Sequence, residues 1–542
     1  MSKVTNDCMI SNQSVKASAS TPGLSEKPNP IDCLPFMPGH DYESVLSELR
    51  YNVIPELEDW SAIRLSITQA EERLFALSTK REDLILAAES RSNEEVESEC
   101  MEIRKFIAIA SSRLAPIRRL LPELLSLVFT HSFDDSTFFI GRPRSYEHYA
   151  VAAVSSHWRQ VALSTPSFWT KFSVSLRGGD GALQILQMCL QRSKGFPLTI
   201  NLRTDIVSRG PFRAGIIQQL IEHSERWFKV SLPLDPELLE LLSPIRGRLP
   251  SLQIMSVIIP SKNHSAAVGN TMLNADAFES APKLHSLSLY SVTGAMGLPR
   301  LPLAQVERLM FTIARTNDAN FKDIVARSPN IRKLTCHCST HLGYSPPTRT
   351  VPVLLSELRA IELKFSDIAL FFFSAPRLES LSMAVFHNIS GDIFFPFIER
   401  SGCNLRSLSL TKLWMHESVL QQVLRATPAL EELSIWDARR DLVTDSAMQA
   451  LVMHPTRPAL IPSLQILNLH GSYDFQTTTL LDMFESRTTP QQPTQTARLR
   501  VVDLRLDQRQ FREDELVRFR CVQGVVLSLR RFDDKKVSIA LI

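Results

Sequence analysis

The chain has 542 residues, 44% of them hydrophobic and 22% charged, with Lys plus Arg at 60 against Asp plus Glu at 57. That length exceeds one compact core and fits several domains or a long repeat array. The net charge of +3 argues against a nucleic-acid protein with one dominating basic face. The 8 cysteines are scattered without a CxxC pair. No signal-peptide core is read at the N-terminus, and no stretch is apolar for the roughly 20 residues that a membrane span needs. The composition therefore points to a reducing compartment, cytoplasm and/or nucleus, and to no membrane association.

Residues 1–52 are rich in Ser, Thr, Asn and Pro and read as a disordered tail, because they hold too little apolar surface to offset the entropy of ordering. Residues 53–114 change character. Trp60, Ile63, Ile67, Ala70, Leu74, Leu77, Leu84 and Ala88 recur at steps of three and four, interrupted by Arg81. Ser92 followed by Glu95 is a capping-box signature. A second stripe follows at Val96, Cys100, Ile103, Ile107, Ala110 and Leu114. Two such helices predict an antiparallel hairpin or coiled coil. Self-association through the same stripes is the alternative.

Residues 115–176 open with "APIRRLLPELLSLVF". Pro122 suits the first turn of a helix, where its missing N–H costs nothing, and Glu123 complements the positive helix end. Leu121, Leu124, Leu125, Val128 and Phe129 then make a wide apolar face. "VAAVSSHWRQVALSTPSFW" supplies a second helix, with Val151, Val154, Trp158, Val161 and Ala162 on one face and Thr165-Pro166 as its stop. So small a pair of helices holds too little core, so part of the apolar face is expected to belong to a partner.

Residues 177–245 read as a transition segment with early strands at "PLTINL" and "WFKVSL". From 246 to 535 a unit Leu-x-x-Leu-x-Leu recurs, often introduced by Pro. It starts at Leu252, Leu284, Val306, Ile331, Leu358, Leu378, Leu405, Leu430, Leu464 and Leu499. The starts lie 20 to 35 residues apart, most of them within the 20–29-residue period of leucine-rich repeats. Each unit predicts a short strand followed by a helical or irregular return, and stacking would bury the leucines between neighbours. The expected fold class is therefore mixed α and β: an all-α N-terminal hairpin with further short helices, followed by an irregular α/β leucine-rich-repeat-like solenoid. Just beyond the last Leu-like slot of a unit lie Tyr290, His337, Lys364, Thr411, Trp436 and His470, the candidate ligand-facing residues.

Catalytic signatures are missing. There is no GxSxG, no GxxxxGK[ST] and no HExxH. "TCHCSTH" gathers Cys336, His337, Cys338 and His341, which are zinc-ligand types, but it coincides with a repeat strand where Cys336 fills the Leu slot. The strand reading is preferred, and neither a metal nor a cofactor is expected.

Taken together, "LLPELLSLVF", "VAAVSSHWRQVAL" and "FW" resemble an F-box. More narrowly, the arrangement is similar to fungal F-box proteins of basidiomycete type, which carry a helical segment ahead of "SPIRRLPPEL", then "CRRWRDIALSTPRLW" and a Leu-rich tail. Ser155 stands where that family usually has Cys, and Leu413 and Ala438 stand where repeats usually have Asn. The resemblance implies a docking module, not an enzyme. It would bind the Skp-family adaptor of a cullin–RING (SCF-type) ubiquitin ligase through Leu121, Pro122, Glu123, Leu124, Leu125, Val128, Phe129, Val154, Trp158, Leu163 and Trp169. The repeats would hold an unknown protein substrate. A repeat scaffold without ligase attachment is the alternative.

Overall fold

The computed structural model describes residues 42–86, 90–132, 138–141, 147–176, 179–203, 213–233, 236–258, 275–292, 298–313, 318–338, 351–365, 367–384, 391–412, 415–437, 440–454, 460–488, 498–506, 515, 517–519 and 525–530. The chain divides into two compact units: Met1–Phe129 with Tyr149–Leu163, and Thr130–His148 with Ser164–Ile542. Residues 115–176, read as one domain from sequence, are thus shared between the two. Among the described residues no helix is long and apolar enough to cross a membrane.

The first unit is helical. Its elements are α1 (Tyr42–Tyr51), α2 (Leu57–Leu86), α3 (Ser90–Arg113), a 3-10 turn (Pro116–Arg119), α4 (Pro122–Ser132, which belongs to this unit up to Phe129), α5 (Glu147–Val154) and α6 (Ser156–Ser164). The two stripes of α2 and α3 bury against each other. Ile63, Ala70 and Leu77 meet Val96, Cys100, Ile103 and Ala110, with Phe106 joining them and Ile67, Leu74, Ile107 and Leu114 at the margin. Arg73–Glu99 at 2.9 Å and Arg81–Glu97 at 2.7 Å tie the helices along their polar side. Ala88 lies outside the described residues. The capping box expected at Ser92 does not form the helix start, because α3 is already helical from Ser90. Residues 42–51, assigned to the disordered tail, form α1 instead. Val45 is buried, and the Arg113 guanidinium, itself buried, meets Glu48 at 2.7 Å. These long-range ties order a segment whose composition alone does not.

The second unit is α/β. Its strands are β1 (Phe138–Ile140), β2 (Lys171–Ser175), β3 (Leu198–Arg203), β4 (Trp227–Pro233), β5 (Ile254–Ile258), β6 (Ser286–Val292), β7 (Arg308–Ile313), β8 (Lys333–Cys338), β9 (Val353–Leu354), β10 (Ala360–Lys364), β11 (Phe373–Ser374), β12 (Ser380–Ala384), β13 (Ser407–Thr411), β14 (Glu432–Trp436), β15 (Ile466–Gly471), β16 (Val501–Leu506) and β17 (Val526–Arg530). All but β9 and β11, which pair with each other, belong to one 15-stranded sheet running in chain order. Every pairing in it is parallel. The ten Leu-x-x-Leu-x-Leu units become β5, β6, β7, β8, β10, β12, β13, β14, β15 and β16, and "PLTINL" and "WFKVSL" become β3 and β4. Strands β1, β2 and β17 add to what the repeats foretell.

The motif has a physical reading. Its first residue is buried in every unit, from Leu252 to Leu499. In eight units it closes a turn onto the residue three before it, as Leu284 does onto Ala281, Leu378 onto Ala375 and Leu464 onto Ile461. The prolines at 282, 376 and 462 occupy the second turn position, where a fixed φ is an advantage. The next two apolar residues alternate along the strand and point to the same side, as Leu381 and Met383 or Leu408 and Leu410 do. Each such side chain contributes about 1.5–3 kcal/mol on burial. After β10, β13 and β14 the chain turns through left-handed residues, Phe365, Lys412 and Asp437. Each of the three donates its N–H to a carbonyl at the end of the next strand, of Ala384, Trp436 and His470 respectively.

Candidate docking surfaces

The helical unit carries the first surface. Helix α4 begins at Pro122 as expected, with the Leu121 carbonyl accepting from Leu125 N–H at 2.9 Å. The helix then sorts its apolar residues. Leu125 and Phe129 turn inward, and Phe129 packs on Trp158 of α6 with ring centroids 5.1 Å apart. Leu121, Leu124, Leu127 and Val128 remain 62%, 48%, 53% and 41% exposed, and Val154 of α5 is 57% exposed. Pro122 and Glu123 are also exposed, and Trp158 and Leu163 are half-buried. Leu127 was not singled out in the sequence, although it lies three residues after Leu124 on the same side of the helix.

Trp169 requires a correction. It was placed on the adaptor face, yet it is buried and belongs to the sheet unit. There it packs edge-on against Phe168 at 5.4 Å and lies 6.1 Å from Phe138, with the Arg192 guanidinium 5.6 Å from its ring centroid. The aromatic pair after Pro166 caps the sheet interior, which is where its large apolar area is best used.

The "PIRR" turn ahead of α4 positions that helix. Arg118 donates to the carbonyl of Ser112 at 2.6 Å, to the carbonyl of Leu49 at 3.1 Å and to Asn52 Oδ1 at 3.3 Å, while Asn52 returns a bond to the Arg118 carbonyl at 3.0 Å. Arg119 stacks over the Trp60 ring at 3.5 Å. These arginines were passed over in the sequence, since their partners lie dozens of residues away. Ser155 caps α6 by accepting from Trp158 N–H at 3.1 Å. Ser156 donates to the Arg50 carbonyl and so ties α1 to α6.

The second surface is the side of the sheet opposite the leucines. His337, Lys364, Ala384, Thr411, Trp436, His470 and Arg505 are consecutive register partners from β8 to β16. Five of the six residues picked from sequence thus form one row. Tyr290 pairs with Ile258 of β5 and falls out of the row, because the pairing of β6 with β7 shifts after Leu289. Its hydroxyl reaches Met310 Sδ at 3.5 Å. Arg505, missed before, sits at the same offset from Leu499 as His470 from Leu464, so the offset alone would have found it.

Trp436 is 36% exposed, and one of its flanks is covered by His470 at 3.9 Å between ring centroids. His470 is only 5% exposed, and its Nε2–H donates to Asp503 Oδ2 at 3.0 Å. Burial holds this imidazole below its usual range despite the pull of Asp503. Arg505 lies 3.5 Å from the same Asp503 oxygen. At the other end Lys364 pairs with Glu362 at 3.0 Å. Burial, helped by Lys364, likewise lowers His337. In "TCHCSTH", Cys336 is buried in its Leu slot. His341 and the side chain of Cys338 lie outside the described residues, as do Leu413 and Ala438. Among the described residues no group of three potential metal ligands occurs.

No family model matches the chain, and no curated protein matches it. Among solved structures, a crystal structure of a Bacteroides fragilis protein aligns at TM-score 0.30 and 14% identity, over 49% of this chain and 74% of its own. At that score the likeness carries no argument about fold or function.

Proposed function

We propose that the chain is the substrate-recognition subunit of a cullin–RING ubiquitin ligase of the SCF type, working in the cytoplasm or nucleus. In this reading α4 to α6 form an F-box that docks a Skp-family adaptor, and the parallel sheet with its helical returns is an irregular leucine-rich-repeat solenoid that holds a protein substrate. One observation carries the reading. Helix α4 keeps Leu125 and Phe129 for its own core and leaves Leu121, Leu124, Leu127 and Val128 in solvent, an arrangement that burial by a partner would stabilise. The chain itself is not a catalyst. It raises the effective concentration of a substrate lysine near the transferring enzyme.

The test is capture of a purified Skp-family adaptor by the full chain. Wild type binds in the micromolar range or tighter, and Leu124→Arg or Val128→Arg abolishes capture without shifting the thermal transition. An adaptor that ignores a well-folded wild-type chain at tens of micromolar removes the ligase reading.

A further inference from the structure

The exposed side of the sheet is unevenly charged, although the chain as a whole is nearly neutral. Between β4 and β10 it presents Lys229, Arg308, Lys333 and Lys364 against the single carboxylate of Glu362. Arg308 and Lys333 are direct register neighbours, both exposed, and have no ion-pair partner among the described residues. The Lys364–Glu362 pair lies at a partly exposed position, so it adds little stability and is readily exchanged. Next to Lys364 the side chains become small. Ser382 and Ala384 of β12 and Ser409 and Thr411 of β13 floor a shallow strip two strands wide. Trp436 closes the far side. His470, pinned by Asp503, backs the ring on its other flank, so its accessible flank is the one toward Thr411. Three strand spacings separate Lys364 from Trp436, about 14 Å, which an extended chain covers in about four residues.

We propose that this strip binds an extended acidic polypeptide segment, one carboxylate or phosphate meeting Lys364, a flat apolar side chain about four residues away lying on Trp436, and further acidic groups reaching Lys333 and Arg308 at the starts of β8 and β7, about 13 Å along the strands from the Lys364 row. The proposal rests on the reading of the sheet as the substrate surface and narrows that substrate to a class. A nucleic acid fits less well. Along the row it would find Thr312, a neutral His337, Ala384 and Thr411 where a phosphate backbone needs repeated cations. A basic segment would meet like charge at Lys364 and Lys333.

The test is fluorescence anisotropy on the full chain with three labelled probes: a peptide with one tryptophan, a Gly-Ser-Gly spacer and a run of glutamates; the same peptide with lysines in place of glutamates; and single-stranded oligouridylate. The acidic peptide is expected to bind, to weaken as salt rises, and to lose affinity tenfold or more with Lys364→Glu while Lys364→Arg retains it. Trp436→Ala should weaken it severalfold and Trp436→Phe less, with unchanged thermal transitions certifying each fold. The proposal is overturned if the acidic peptide does not bind, if acidic and basic peptides bind alike, if the variants bind it as wild type does, or if oligouridylate binds more tightly. Adaptor capture by the same variants keeps the two readings apart. It stays intact when only the acidic-segment proposal fails, and it is lost in wild type when only the ligase reading fails.

Discussion

The two units treat their apolar residues in opposite ways. In the sheet unit the Leu-rich side of every repeat strand is covered by the unit itself, and the other side mixes Ser, Thr and charged residues with a few apolar ones, among them Ile258 and Trp436, 40% and 36% exposed. In the helical unit α2 and α3 cover each other, but α4 turns only one stripe of its apolar surface, Leu125 and Phe129, inward. The contrast separates residues that make the fold from residues left for something else. Leucine content alone does not mark a core; what marks it is whether a neighbouring element of the same unit closes over the leucine.

Substitutions sharpen or break that contrast. The largest effect is expected at Leu408→Ala, which opens a cavity under β13 and should cost about 2–5 kcal/mol, read as a lowered urea midpoint at unchanged m-value. Glu48→Ala takes the carboxylate from the buried Arg113 and should cost about 3 kcal/mol, with loss of hydrogen-exchange protection over residues 42–51. Protection that persists would show that α1 is held by Val45, the Arg118 contacts and the Ser156–Arg50 bond without the ion pair. Leu124→Arg should change stability by no more than about 0.5 kcal/mol, because the side chain already lies in solvent. A larger loss would place Leu124 among the fold-making residues and dissolve the contrast. His470 adds a pH signature. Its folded pKa lies below the ordinary histidine value of 6.5, so the unfolded chain binds the proton more readily, and stability falls as pH drops through 6.5. His470→Gln should flatten that part of the stability profile in a denaturant titration. A similarly small effect belongs to Arg73–Glu99, whose double-mutant cycle should give about 0.5 kcal/mol or less, since Arg73 is well exposed.

Much of the sheet was legible because a two-residue period and a prolyl turn are local signals. The ten repeat strands fall where Leu-x-x-Leu-x-Leu places them, and the row from His337 to His470 follows from one constant offset. Strands β1 and β2 carried no such mark: "FFI" is too short to show a period, and "KFSVS" lacks the preceding Leu-x-x turn. Helix α1 was illegible for a different reason. Its order depends on Glu48 meeting Arg113 and on Arg118 reaching Leu49 and Asn52, bonds between residues 65 to 69 positions apart that no sequence window contains. On α4 the apolar face was legible, and which of its residues turn inward was not. A wide apolar face on a short helix fits two rotations, and only the Phe129–Trp158 contact decides between them.

The long sheet has a further consequence for how such a chain is made and altered. Because each of its strands lies beside the strand before it in the sequence, no pairing waits for a distant segment, and assembly is free to start at any neighbouring pair and spread outward as on a zipper. The same arrangement makes length an adjustable quantity. Duplicating or deleting one strand with its return would leave every other hydrogen-bonded ladder undisturbed, so the reach of the binding side could be tuned without redrawing the fold.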